Sequence, residues 1–169
     1  MKTTNVGLAE SRISRNPTEV LTAMGLGSCV ALVLYDPSSR TGALAHVMLP
    51  RGSASDDKPA KFAETAVPFL VEELGKAGIE PASLRAAVFG GATLLATGQS
   101  ALLEIGARNV GAVEGALAKA GLVTVISDVG GTKGRTVQLK IATGDVTVKV
   151  LGQPDRVFDE LAVSAEVQR

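Results

Sequence analysis

The chain has 169 residues, 46% of them hydrophobic, yet it holds one Tyr, four Phe and no Trp, so a core sized for one domain must be built from aliphatic side chains. Lys plus Arg equals Asp plus Glu at 17 each, which removes the electrostatic case for nucleic acid or an anionic membrane surface and leaves a protein or small molecule as partner. One Cys cannot close an internal disulfide, and one Cys with one His cannot build a zinc site of the usual three or four such ligands, so neither a structural metal nor a cofactor is expected.

The start, MKTTNVGLAESRIS, lacks the apolar stretch of a signal peptide, and no apolar run reaches the roughly eighteen residues of a membrane span. No membrane insertion is expected, and the cytoplasm, where a thiol stays reduced, is the expected location. Asn5 to Ala9 alternates briefly and reads as an edge strand, and Ser11 to Glu19 reads as a polar, proline-containing connector. Leu21 to Met24 leads into Gly25-Leu26-Gly27-Ser28, a bend in which glycines permit positive φ and close backbone approach.

The only cysteine, Cys29, follows that bend. An aliphatic run from Val30 to Tyr35, the turn Asp36-Pro37-Ser38-Ser39 and a second apolar run from Gly42 to Leu49, which carries the only histidine, His46, predict a hairpin. With the loop at Asp36 to Ser39, Tyr35 pairs with Arg40 and Cys29 falls opposite His46. Sliding the loop by one residue leaves His46 on the same face, diagonal to Cys29, whereas an odd-numbered loop sends the two to opposite faces. In the first two cases a thiol and an imidazole share a surface beside a bend whose N–H groups, around Gly27 and Ser28, could hold an oxyanion. The structural alternative is a small buried hydrophobe and a hydrogen-bonded core histidine. A third reading, a redox-sensing thiol, requires an exposed Cys29 and no role for His46.

Arg51 to Pro59 is a polar loop that follows the His46 strand and is placed to border a substrate groove. Asp56 or Asp57 is a candidate cap for a helix with Pro59 in its first turn, the apolar stripe Phe62, Ala66, Phe69, Leu70 and Leu74, a bend at Pro68, and a stop at Gly75 and Gly78. Leu84 to Phe89 reads as a strand and Gly90-Gly91 as a tight turn. A second helix starts near Gly106, carries Val110, Val113 and Leu117 on one face and ends at Gly121, before a strand from Leu122 to Ser127. The run Gly130 to Thr136 is glycine-rich and basic but lacks the order of a phosphate-binding loop, so it reads as a long turn. Val137 to Ile141 and Val146 to Val150 form a closing hairpin, and Asp155 to Arg169 reads as a frayed helix or flexible tail. Strands outnumber helices, and hairpins flank a helical middle: the fold class is α+β, in layers, as a single domain over 1–169.

Five blocks now stand together: GLGSC ending at Cys29, AHVMLP around His46, DKPAKFAETAV with VEEL over Asp57 to Leu74, FGGA over Phe89 to Ala92, and IGARNV over Ile105 to Val110. Their order resembles the CheD family, chemoreceptor glutamine deamidases of bacterial and archaeal chemotaxis, across roughly residues 5 to 150. The resemblance implies a layered α/β/β sandwich with mixed, mostly antiparallel sheets and two main helices. It also implies a hydrolase that converts specific glutamine side chains to glutamate on methyl-accepting chemotaxis receptors, through attack by the Cys29 thiolate, a thioester and release of ammonia, with His46 as the proton carrier. A CheC-type phosphatase is the second implied partner, and a non-catalytic adaptor that binds the phosphatase or a receptor helix is the alternative. The family places a threonine six residues before its nucleophile; here that position is Ala23, and Thr22 lies seven before. Thr22 is therefore the candidate orienter of the imidazole, with Ser28 and Asn109 as further candidates. Arg108 and Asn109 either donate to a substrate or tie the start of the second helix to the sheet.

Overall fold

A computed structural model describes residues 1–52, 57–94 and 104–163. Ten strands among these residues form two five-stranded sheets, and the two long helices lie on one of them. The first sheet has the order β1 (Lys2–Asn5), β3 (Glu19–Leu26), β8 (Arg135–Lys140), β9 (Val146–Lys149) and β10 (Arg156–Phe158). The second has the order β2 (Ser11–Ser14), β5 (Thr41–Val47), β4 (Val30–Asp36), β6 (Arg85–Gly90) and β7 (Val123–Val129). Two pairs, β1 with β3 and β6 with β7, are parallel and the rest antiparallel.

The layering follows from β4. Every residue of it is buried, because helices cover one face and the first sheet covers the other, and such a strand reads as an unbroken aliphatic run rather than an alternation. Val30, Leu32 and Leu34 pack toward helices α1 (Ala63–Lys76) and α2 (Ile105–Lys119), in a layer with Val67, Leu70, Val113 and Leu117. Ala31, Val33 and Tyr35 point the other way, into a layer with Leu21, Ala23, Leu139 and Val148 of the first sheet. The result is the α/β/β sandwich expected from the sequence.

Several boundaries differ from expectation. The N-terminal strand is Lys2–Asn5, held by parallel pairing of Lys2 with Glu19 through Asn5 with Thr22, and residues 6–10 turn inward instead. The polar connector contains β2, an edge strand on β5 whose single apolar side chain, Ile13, is too little to give a periodic signal. Asp57 does not cap α1. Phe62, extended at φ −113°, precedes that helix, because Met48 and Leu49 both donate to the Lys61 carbonyl and Leu49 bridges Phe62, which holds the chain straight there. Pro59 accordingly starts a short 3-10 turn, and Asp56 lies outside the described residues. Helix α1 continues through Pro68 and Gly75, and the stop is Gly78 at φ +85°. The tail assigned to 155–169 is ordered in its first part: Arg156–Phe158 pairs with β9 and Leu161 is buried in the inter-sheet core. Residues 164–169 lie outside the described residues.

The hairpin turns at residues 37–40, with Asp36 opposite Thr41. The Asp36 carboxylate accepts the backbone N–H groups of Ser38 and Ser39 and both their hydroxyls, which fixes a four-residue loop with Arg40 at φ +53°. The loop is even-numbered and slid by one from the Tyr35–Arg40 pairing, so the diagonal register of the two sequence alternatives is the one realised.

Candidate active site

In this register His46 lies opposite Ala31, and the alternation of β4 and β5 puts Ala31, Leu44 and His46 on the face turned to the first sheet. Cys29, two residues before Ala31, is half-buried and packs against the same layer. The only thiol and the only imidazole thus sit on one side of the sheet, at the end where β4 begins.

The bend before Cys29 is fixed by the carbonyls of three consecutive residues. Ala92 N–H donates to Gly27 O at 2.8 Å, Asn109 Nδ2 to Ser28 O at 2.9 Å, and Gly91 N–H to Cys29 O at 2.8 Å. The approach is close enough to dictate composition. A Cβ on Gly90, itself at φ +105°, would lie 2.4 Å from the Cys29 carbonyl, and one on Gly106 would lie 2.6 Å from the carbonyls of Gly91 and Ala92. The FGGA and IGARNV blocks are therefore the platform on which the cysteine bend rests.

Asn109 is fully buried and donates its second amide hydrogen to Met48 O at 2.9 Å, so one side chain clamps the residue before Cys29 to the strand end just beyond His46. Both its N–H groups are thus engaged by backbone carbonyls, while its buried Oδ1 has no partner among the described residues. Arg108 pairs with Glu104 at 3.1 Å and, with Pro50, Arg51 and Gly111, lines a shallow groove of about 480 Å³ on the helix side. Beyond Gly52 the polar loop that follows the His46 strand includes residues 53–56, outside the described residues.

His46 is 2% exposed and held through both polar groups of its backbone by one segment: Ala9 N–H donates to its carbonyl at 3.1 Å, and its own N–H donates to Glu10 O at 2.9 Å. Its Nδ1 lies 3.2 Å from the Val6 carbonyl. That contact makes Nδ1 the protonated nitrogen and leaves the lone pair on Nε2, which has no partner among the described residues. Thr22 stands elsewhere. Its neighbours Leu21 and Ala23 face the inter-sheet core, while its hydroxyl meets Gln138 Nε2 at 3.5 Å on the outer face, so the expectation that the Thr22 side chain orients His46 gives way to the Val6 carbonyl. Thr22 contributes through its backbone, whose carbonyl accepts the Val6 N–H at 2.7 Å.

Burial pushes the Cys29 thiol above its ordinary value and, as the largest influence, pulls the His46 imidazole below its own, against the opposing effects of the Val6 carbonyl and the Glu10 charge. Both shifts disfavour a preformed thiolate–imidazolium pair. Among the described residues no group of three or more His, Cys, Asp or Glu is placed to hold a metal ion.

The sequence reading of Asn5 to Ala9 as an edge strand gives no sign of the part that residues 6–10 take in the site. The signal available was a glycine, Gly7, three residues before an acidic one, Glu10, a spacing that closes a turn rather than extends a strand.

A layered α+β domain with one thiol and one imidazole on the same sheet face, at a glycine bend clamped by an asparagine, is a distinctive arrangement. The family model described as CheD chemotactic sensory transduction matches residues 48–150, and the chain belongs to that family. A Thermotoga maritima protein named chemoreceptor glutamine deamidase CheD is 43% identical over 147 residues, 87% of this chain and 91% of that one. A contiguous stretch of that length in a 169-residue chain necessarily includes both Cys29 and His46. A Symbiobacterium thermophilum protein named probable chemoreceptor glutamine deamidase CheD is 45% identical over 88% of this chain and 92% of that one. Among described residues no helix is long and apolar enough to cross a membrane.

Proposed function

We propose that this chain hydrolyses the side-chain amide of glutamine residues on chemoreceptors, with Cys29 as nucleophile and His46 as the group that moves the proton. The observation that carries the reading is the tautomer of His46: Nδ1 is committed to Val6 and the free lone pair of Nε2 lies on the face that Cys29 shares.

Because burial favours the neutral form of both groups, the first step is general-base attack. Nε2 accepts the thiol proton as sulfur bonds to the amide carbon, and the carbonyl π electrons move to oxygen, which the N–H groups of the bend around Gly27 and Ser28 stabilise. The imidazolium returns its proton to nitrogen as the C–N bond breaks, releasing ammonia and leaving a thioester. Water, deprotonated by the same Nε2, then attacks the thioester carbon. The C–S bond breaks, sulfur takes back the proton, and the product is glutamate with the thiol restored. Asn109 takes no proton in this sequence; it holds the two halves of the site in register.

Incubation of a receptor cytoplasmic fragment with the protein, followed by peptide mass spectrometry, tests the reading. Conversion of glutamine to glutamate that is lost in Cys29→Ala supports it. Unchanged glutamines beside binding to the receptor, or to a CheC-type phosphatase, that survives Cys29→Ala would replace the enzyme with an adaptor.

A further inference from the structure

The group that meets His46 Nδ1 is a backbone carbonyl, and the other end of the same peptide is also engaged. Val6 O accepts from Nδ1 at 3.2 Å, and the N–H of Gly7, the next atom group along that peptide unit, donates to Glu10 Oε2 at 2.8 Å. In a trans peptide the C=O and N–H point in opposite directions, so carboxylate, peptide and imidazole fall in line. A carboxylate that accepts the N–H polarises the peptide and makes its carbonyl a better acceptor. The turn that creates this line is closed by Glu10 N–H to Gly7 O at 3.0 Å and passes through Ala9 at φ +64°, a conformation that a residue with a Cβ adopts only where its surroundings hold it. The same turn grips the His46 backbone through Ala9 and Glu10.

Glu10 is the charged side chain that acts on the ring. On the same face Cys29 and, toward the far end of the hairpin, Tyr35 also titrate; the charge on β2, Arg12, is paired with Glu19, and the opposing strands bring the non-titrating Leu21, Ala23, Leu26 and Val137 together with Arg135, whose charge is paired with Asp128.

We propose that Glu10 is a positioning residue of the Cys29–His46 site: through the Val6–Gly7 peptide its carboxylate fixes the imidazole tautomer and stabilises the protonated ring that forms during turnover. It does for this histidine what a directly bonded carboxylate does in a catalytic triad, with one peptide unit interposed. The catalytic use of the relay rests on the function proposed above; the relay itself does not.

The chain has one histidine, so its ring titration is a single set of NMR resonances. Glu10→Gln keeps an amide oxygen for Gly7 N–H and removes the charge, whereas Glu10→Ala removes both, and Glu10 is exposed enough for either to fold. Glu10→Gln is expected to lower the His46 pKa by about half a unit and kcat roughly threefold with KM unchanged, and Glu10→Ala to lower kcat by about tenfold as the Val6 carbonyl is released. A residue that merely braced the loop would move thermal stability and leave the titration in place. An unmoved His46 titration in the folded Glu10→Gln protein overturns the relay, whatever happens to activity. Wild-type protein that leaves receptor glutamines intact overturns the proposed function instead, and the titration then still decides the relay.

Discussion

Two of the buried polar clusters in this domain are finished differently. Glu19, at the start of β3, is 2% exposed, and its carboxylate receives Thr4 Oγ1 at 2.5 Å, Arg12 Nε at 2.9 Å and Ser14 Oγ. Burial alone would raise its pKa, but the donors from Ser14, Thr4 and Arg12 outweigh burial and hold it below the usual carboxylate value. His46 is equally buried, yet one of its ring nitrogens is satisfied and the other has no partner among the described residues, on a sheet face shared with a thiol whose ionisation burial also opposes. A cluster that satisfies its charge stabilises the fold. One that leaves a lone pair open on a face shared with a thiol has the form of a candidate reactive site.

The sharpest way to break this contrast is to delete each centre. Cys29→Ala and His46→Ala are each expected to reduce deamidation by at least about a thousandfold, with the double variant little worse, because the proposed mechanism joins the two in one proton transfer. Thermal melts should change little for Cys29→Ala. Additive losses in the double variant would show that the two residues serve separate steps. Glu19→Ala should do the reverse, costing about 2–3 kcal/mol in a denaturant titration by leaving the buried Ser14 hydroxyl and part of Arg12 without an acceptor, while kcat per folded molecule stays near wild type. Asn109→Ala falls between them. It strands the Ser28 and Met48 carbonyls at a cost of about 2–3 kcal/mol and also loosens the clamp between the two halves of the site, so activity should fall with stability.

A pH series separates the clusters without mutation. The folded His46 pKa lies below 6.5, so the unfolded chain binds that proton first, and stability falls as pH drops below 6.5 until the folded value is passed. The depressed Glu19 pKa contributes stability that is present above 4.5 and lost as pH falls through the folded value. Two acid steps are expected in chemical denaturation at graded pH, the upper one absent in a His46→Gln variant and the lower one absent in Glu19→Gln. Since Nε2 must be unprotonated to take the thiol proton, the acid limb of kcat should also lie below pH 6.5. A limb above that value would place a stronger negative charge on the ring than Glu10 supplies.

What the sequence disclosed about these clusters follows from the range of the interactions. The hairpin was legible because its turn chemistry is local: Asp36 with Ser38 and Ser39 fixes an even-numbered loop, and parity alone decides that Cys29 and His46 share a face. Which of the two even registers forms was not, since a slide by one residue keeps the hydrophobic pattern of two fully buried strands. The cysteine bend announced itself through its glycines, but the reason for Gly90 is the Cys29 carbonyl, sixty-one positions away in sequence and 2.4 Å from where a Cβ would be. The Glu19 network and the His46 clasp were both hidden in the polar N-terminal segment. Their strands are four residues long at sheet edges, too short and too polar for periodicity to register.

The smallest effect is expected at Thr22, where chain position pointed to a catalytic role and geometry points elsewhere. Its hydroxyl lies on the outer face of the first sheet, 3.5 Å from Gln138 Nε2, a contact at the long limit of hydrogen bonding and worth little. Its connection to the site runs through the backbone: the Thr22 carbonyl holds Val6 N–H at 2.7 Å, and Val6 in turn meets His46. Thr22→Ala keeps that backbone and removes only the hydroxyl, so kcat should change by less than about twofold and stability by less than about 1 kcal/mol. Thr22→Pro alters the main chain without touching the imidazole, because proline cannot follow the extended β3 geometry freely and has no N–H for the ladder with β1, so it should weaken both the fold and the site. A tenfold fall in kcat for Thr22→Ala, with the His46 titration displaced, would mean that the hydroxyl reaches the ring during turnover and would return Thr22 to the place Val6 now occupies.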